Sequence, residues 1–135
     1  MYIEINDDTT IRHIQEKISD YYPYLQIEFH RRPHKKYKAS GANDLIFPGD
    51  TIGDVKQTHI SAILEITPVS KVADIEKEFQ QRFGLSVQIL RKENEKWIQT
   101  TGMDDFTLKE LNVLSRNSSD EFILAEPDSE YEDTE

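Results

Sequence analysis

Cysteine is absent from the 135 residues, which excludes a disulfide framework, a thiolate nucleophile and a cysteine-ligated zinc site. Glycine and proline number only 5 each, so extended low-complexity tracts are excluded as well. Apolar runs are short throughout, and none approaches the roughly 18 residues that a membrane-spanning helix needs. The first residues, Tyr2, Ile3, Glu4 and Ile5, alternate like a strand, where a secretion signal would be basic and then apolar. From these absences we expect a cytoplasmic protein without membrane contact.

What is present suits one packed domain: 36% of the residues are hydrophobic and 31% charged. The net charge of -10 is unevenly placed. Residues 117–135 hold eight acids and no Lys or Arg, leaving 16 basic residues against 18 acidic ones in residues 1–116. The body is thus near neutral, without the excess positive charge that drives counterion release, and this argues against a nucleic-acid partner. Residues 127–135 (PDSEYEDTE) carry too little apolar surface to offset their ordering entropy and read as a disordered acidic tail.

The remaining chain repeats itself. Ile3, Ile5, Ile11, Ile14, Ile18 and Tyr22 find counterparts 61 residues on in Leu64, Ile66, Val72, Ile75, Phe79 and Phe83. Leu25, Ile27, Phe29, Arg31, Arg32, Lys36 and Tyr37 find them 60 residues on in Leu85, Val87, Ile89, Arg91, Lys92, Lys96 and Trp97. Thr51-Ile52-Gly53-Asp54-Val55 matches Thr107-Leu108-Lys109-Glu110-Leu111. We therefore expect a single duplicated domain over residues 1–126, with one repeat over about 2–60 and the other over about 61–126.

The spacing Ile11, Ile14, Ile18 and its copy Val72, Ile75, Phe79 predict two helices with one apolar stripe each. Asp8 or Thr9 and Ser70 are the expected N-caps; Pro23 and Gly84 are the expected stops. Leu25-Ile27-Phe29 and Leu85-Val87-Ile89 alternate with polar residues and predict strands. Ile60 to Thr67 is apolar on nearly both faces and predicts a central strand shared by the halves, and Glu121 to Ala125 a final strand. The fold class is α+β. The order in each half resembles the β-grasp, or ubiquitin-like, arrangement without its first strand; a ferredoxin-like βαββαβ arrangement is the alternative.

The second half carries FGLSVQILRK at Phe83 to Lys92, then Trp97, Thr100-Thr101, and DDFTLKELN at Asp104 to Asn112. In these segments it resembles a group of uncharacterised proteins of similar length found in Bacteroidota, whose members tend to have Trp where Phe106 stands here. The resemblance implies a bacterial protein and carries over no activity and no catalytic residue.

No GxSxG, HExxH, GxGxxG or GxxxxGK[ST] pattern occurs, and we expect no catalytic residue and no cofactor. Four histidines, His13, His30, His34 and His59, invite a metal reading. His30 and His34 would share a face only on a helix, which Pro33 opposes, so no metal site is expected. Asp104 or Asp105, like Asp50, reads as an N-cap or near-cap, favoured by the helix dipole, for the Thr-led turn that follows. The feature most suggestive of binding is a pair of basic hairpins with an aromatic at the same place in each: Arg31, Arg32, Lys36 and Tyr37, and Arg91, Lys92, Lys96 and Trp97. Cations keep edge strands from associating and can also grip an acidic partner. The function expected is that of a non-enzymatic protein-interaction module with an unknown protein partner. The alternative is a small ligand-binding protein or enzyme with a pocket between the halves, lined by Trp97 and Asp104 or Asp105. Oligomeric state is not specified by the sequence.

Overall fold

The computed structural model describes residues 1–31, 45–56 and 59–118. In chain order these form β1 (Tyr2–Asn6), α1 (Ile11–Tyr21), β2 (Leu25–His30), α2 (Ile52–Val55), β3 (Ser61–Glu65), α3 (Val72–Phe83), β4 (Ser86–Glu93), β5 (Lys96–Gln99) and α4 (Leu108–Asn117). Helices and antiparallel sheets together make an α+β fold.

Both principal helices bury the stripe that their spacing predicts: Ile11, Ile14 and Ile18 in α1, and Val72, Ile75, Phe79 and Phe83 in α3. They meet Ile3 and Ile5 of β1, Leu64 of β3 with Ile66 just beyond it, Leu25, Ile27 and Phe29 of β2, and Val87 and Ile89 of β4 with Leu85 just ahead of it, in one apolar core. Removing so much apolar surface from water is the main stabilising term. Phe29 of β2 and Phe79 of α3 meet edge to face, centroids 5.4 Å apart, which adds directionality to that packing.

Hydrogen bonding joins β1 to β3 and, separately, β2 to β4 to β5. The registers are symmetric. Ile3 stands opposite Leu64, and Tyr2 opposite Glu65 just as Glu4 stands opposite Ile63. Ile27 stands opposite Ile89 as Phe29 does opposite Val87. The turns repeat as well: the N–H groups of Ile11 and Arg12 donate to the carbonyls of Asp50 and Pro48, and those of Val72 and Ala73 to Phe106 and Asp104. Ile52 and Gly53 donate to Thr9 and Asp7; Leu108 and Lys109 donate to Ser70 and Pro68.

Several expectations need correction. Among the described residues β3 bonds only to β1, and Ile63 is 58% exposed, so β3 is not flanked on both sides as a shared central strand would be. Arg82 Nη2 donates to the Ile63 carbonyl instead. The single sheet of a ferredoxin-like arrangement is not formed either, because β2 pairs with β4 and its other edge is already engaged. Gln15 donates to the Ile27 carbonyl, Ser19 to that of Leu25, and the Ile46 N–H to that of Phe29. The N-caps are Thr10 and Lys71, one residue beyond those expected. Thr9 and Ser70 spend their hydroxyls accepting from the N–H of Asn6 and Thr67 in the preceding turns. Gly84 does close α3, at φ 64°. The strand expected at Glu121 to Ala125 and the acidic tail lie outside the described residues.

Candidate functional site

The β4–β5 hairpin assembles the second of the two basic clusters. Asn94 adopts φ 54°, a conformation that Asn tolerates better than most residues, and the turn brings Glu93 opposite Lys96 and Lys92 opposite Trp97. Trp97 is 40% exposed and Lys96 is exposed. Among the described residues β5 bonds to β4 alone. Arg91 behaves differently: its side chain is largely buried and its Nη2 lies 2.7 Å from Glu93 Oε2, so that charge is already engaged inside the hairpin.

The first cluster does not join the second. Arg31 follows the last residue of β2 and is half-exposed, with Nη2 3.9 Å from Asp50 Oδ2. It lies six residues along the strand from Leu25, which faces Arg91, a span of about 20 Å at strand rise. The pairing is antiparallel, so Arg31 and Arg91 stand at opposite ends of the β2–β4 ladder. Arg32, Lys36 and Tyr37 lie outside the described residues.

His13 is exposed on α1. His59 Nδ1 is 2.6 Å from Asp7 Oδ2, and the Ile60 N–H donates to Asp7 Oδ1 at 2.8 Å. These bonds draw the Asp7 carboxyl below its usual range and the His59 imidazole above its own. His34 is outside the described residues, and among those described no group of three His, Asp or Glu stands where it could hold a metal ion. No helix among the described residues is long and apolar enough to cross a membrane.

Asp50 directly precedes one N-cap, but neither it nor Asp104 or Asp105 is itself the N-cap. Thr51 and Thr107 are the N-caps: each Oγ1 accepts from the N–H three residues on, and Asp54 or Glu110 accepts in return from the threonine N–H. Asp104 acts instead on Glu76, a half-buried residue of α3. Burial, reinforced by the Asp104 charge, pushes the Glu76 carboxyl up to about 7. The sequence carried one signal for it, since its counterpart 61 residues earlier is the neutral Gln15.

Two cavities border residues that the sequence did not single out together. One, of about 450 Å³, runs beside α1 and β2 among Arg12, Gln15, Glu16, Glu28, Leu45 and Pro48. The other, of about 140 Å³, is bounded by His30, Arg31, Val55, Lys56, Gly84 and Leu85. Neither touches Trp97, Glu76, Asp104 or Asp105; the smaller one does lie between the halves, bounded by His30, Arg31, Val55 and Lys56 of the first and Gly84 and Leu85 of the second, but without the lining expected of a pocket there. Comparison of the chain with models of protein families, with curated proteins and with solved structures finds no match.

Proposed function

We propose that the chain is a non-enzymatic protein-interaction module whose contact surface is the β4–β5 hairpin. The observation that carries this reading is the cross-strand pair Lys92 and Trp97 beside an edge of β5 that bonds to nothing else described. An extended segment of a partner can add to such an edge, with backbone bonds supplying affinity and side chains supplying selectivity. Trp97 offers a large ring at modest entropic cost, and Lys96 favours an acidic neighbour. Arg91 supports the hairpin from within. Arg31, about 20 Å away at strand rise, lies off this surface.

The symmetric registers and the recurring turn bonds support a further part of the reading, that the domain arose by duplication of a segment of about sixty residues. The grasp-like order and membership of the Bacteroidota group belong to the same proposal. A second reading, a small-ligand binder, is favoured by the 450 Å³ cleft, which falls within the size range of ligand pockets; it lies inside the first half rather than between the halves.

Affinity capture from a soluble extract of the native cell, followed by mass spectrometry, tests the interaction reading. Proteins retained by the wild-type chain should be lost from Trp97→Ala and from Lys96→Glu. Because Trp97 is the sole tryptophan, its emission should shift to the blue when a captured protein is added back. Retention of the same proteins by both variants, with unchanged emission, overturns the assignment of this surface.

A further inference from the structure

Position 30 is where the two halves part company in chemistry. Its counterpart sixty residues on, Leu90, is a buried apolar residue, whereas His30 is 2% exposed and neither ring nitrogen has a hydrogen-bond partner among the described residues. Nε2 stands 3.5 Å from Glu28 Oε1 but without hydrogen-bond geometry. A buried imidazole in that condition destabilises the fold, and such groups are rare without a reason.

The covering helix differs at the same place. Lys56 and Asn112 each lie five residues beyond a capping threonine, Thr51 or Thr107. Each reaches the chain just before a strand. Lys56 Nζ donates to the Gly84 carbonyl at 3.4 Å ahead of β4, and Asn112 Oδ1 accepts from the Tyr24 N–H at 3.0 Å ahead of β2. Beyond Asn112, α4 continues to Asn117 and buries Ser115 completely. Helix α2 ends at Val55, and the backbone at Lys56 is already extended. On that side the protein has the 140 Å³ cavity instead, bordered by an imidazole, a guanidinium and an ammonium group.

We propose that this cavity binds one phosphate group, either free or at the end of a small phosphomonoester. Three cation-capable donors approach from β2, from the residue after it and from the end of α2, a spread that suits a tetrahedral oxyanion with several acceptor oxygens. The volume corresponds to about four or five water molecules at roughly 30 Å³ each, enough for a phosphate and a water. Val55 and Leu85 supply an apolar wall that strengthens charge-assisted bonds. The nearby carboxylates, Glu28 beside His30 and Asp50 near Arg31, do not border the cavity. This site lies at the end of the β2–β4 ladder away from the β4–β5 hairpin and does not depend on the interaction reading.

The test is an amide NMR titration of the full chain with inorganic phosphate at constant ionic strength, repeated with methyl phosphate. Saturable shifts should centre on Arg31, Lys56, Gly84 and Leu85. Response to both probes assigns the site to a phosphomonoester, and response to inorganic phosphate alone assigns it to free phosphate. Lys56→Gln and Arg31→Gln, at solvent-facing positions, should each weaken binding about tenfold, the loss of one charge-assisted bond. His30→Leu copies the residue at position 90; it should abolish binding and raise the unfolding midpoint. Shifts no larger than those produced by equivalent sodium chloride, or affinity unchanged in Lys56→Gln and Arg31→Gln, overturn the proposal.

Discussion

Glu28 stands directly opposite Gln88 in the β2–β4 ladder, and the two are also sixty residues apart, the separation at which the second half of the sequence repeats the first. The ladder therefore maps onto itself when the halves are exchanged, and each residue can be judged against its counterpart in the same molecule.

Glu76 and Gln15 are the most informative such pair. Gln15 donates to the Ile27 carbonyl at 2.9 Å, while Glu76 is a half-buried acid pushed up to about 7 from the ordinary 4.5. A carboxyl raised in the folded state makes that state bind more protons than the unfolded one, so stability falls as pH rises from about 4.5 to 7. The full shift would amount to about 3 kcal/mol; solvent around a half-buried group screens this, and we expect about 1–2 kcal/mol. Glu76→Gln should flatten the decline and stabilise the protein by that amount at pH 8, as read by urea unfolding across pH.

Asp7 and His59 act in the opposite sense. Asp7 is lowered from 3.8 and His59 raised from 6.5. The Asp7 contribution is present above 3.8 and lost as pH falls through its lower folded value. The His59 contribution is present below 6.5 and lost as pH rises through its higher folded value. Their joint contribution is thus greatest between about 4 and 6.5. Asp7→Asn should return the His59 titration, followed by NMR, to an ordinary imidazole midpoint.

The two capping boxes offer a graded comparison. Thr107→Ala should cost about 1 kcal/mol, the usual value of an N-cap, and Thr51→Ala a similar amount. Double replacement should be additive in denaturant unfolding, because the caps sit on separate helices. Both carboxylates, Asp54 and Glu110, are held below their usual range by the threonine bonds. The caps should therefore weaken as pH falls through those lowered values.

Gly84 has φ 64° and its added Cβ would stand 2.9 Å from Lys56 Nζ. The lysine tip can move aside, so the backbone conformation decides the outcome. Gly84→Ala should destabilise by about 1 kcal/mol, and Gly84→Asn by less, as measured by thermal or urea unfolding.

Much of this architecture is legible in the sequence because period and burial share a cause. Ile11, Ile14 and Ile18 recur at helical spacing and are buried, and the alternating Leu25, Ile27 and Phe29 line the core as expected. Less visible is which polar group is already engaged. Thr9 looks like a cap, but its hydroxyl serves Asn6, and Arg91 looks like a contact residue, but it is held by Glu93. The apolar run at Ile60 to Thr67 suggests two covered faces, yet nothing local tells Ile63 that its side will remain exposed. The burial of His30 is not legible beside the basic residues that follow it in the sequence. The extra length of α4 has a local signal in Leu108, Leu111 and Leu114, but the likeness of Thr107-Leu108-Lys109-Glu110-Leu111 to the short turn of the first half hides it.

The two long ladders run between halves. Ile3 awaits Leu64, and Ile27 awaits Ile89. Such pairings are costly to close and come late in folding. During synthesis the amino-terminal half leaves the ribosome before the strands that β1 and β2 pair with have been made. Assembly therefore belongs to the finished chain, and a truncated translation product ending near residue 60 would display bare strand edges, making it a natural client for chaperones and proteases.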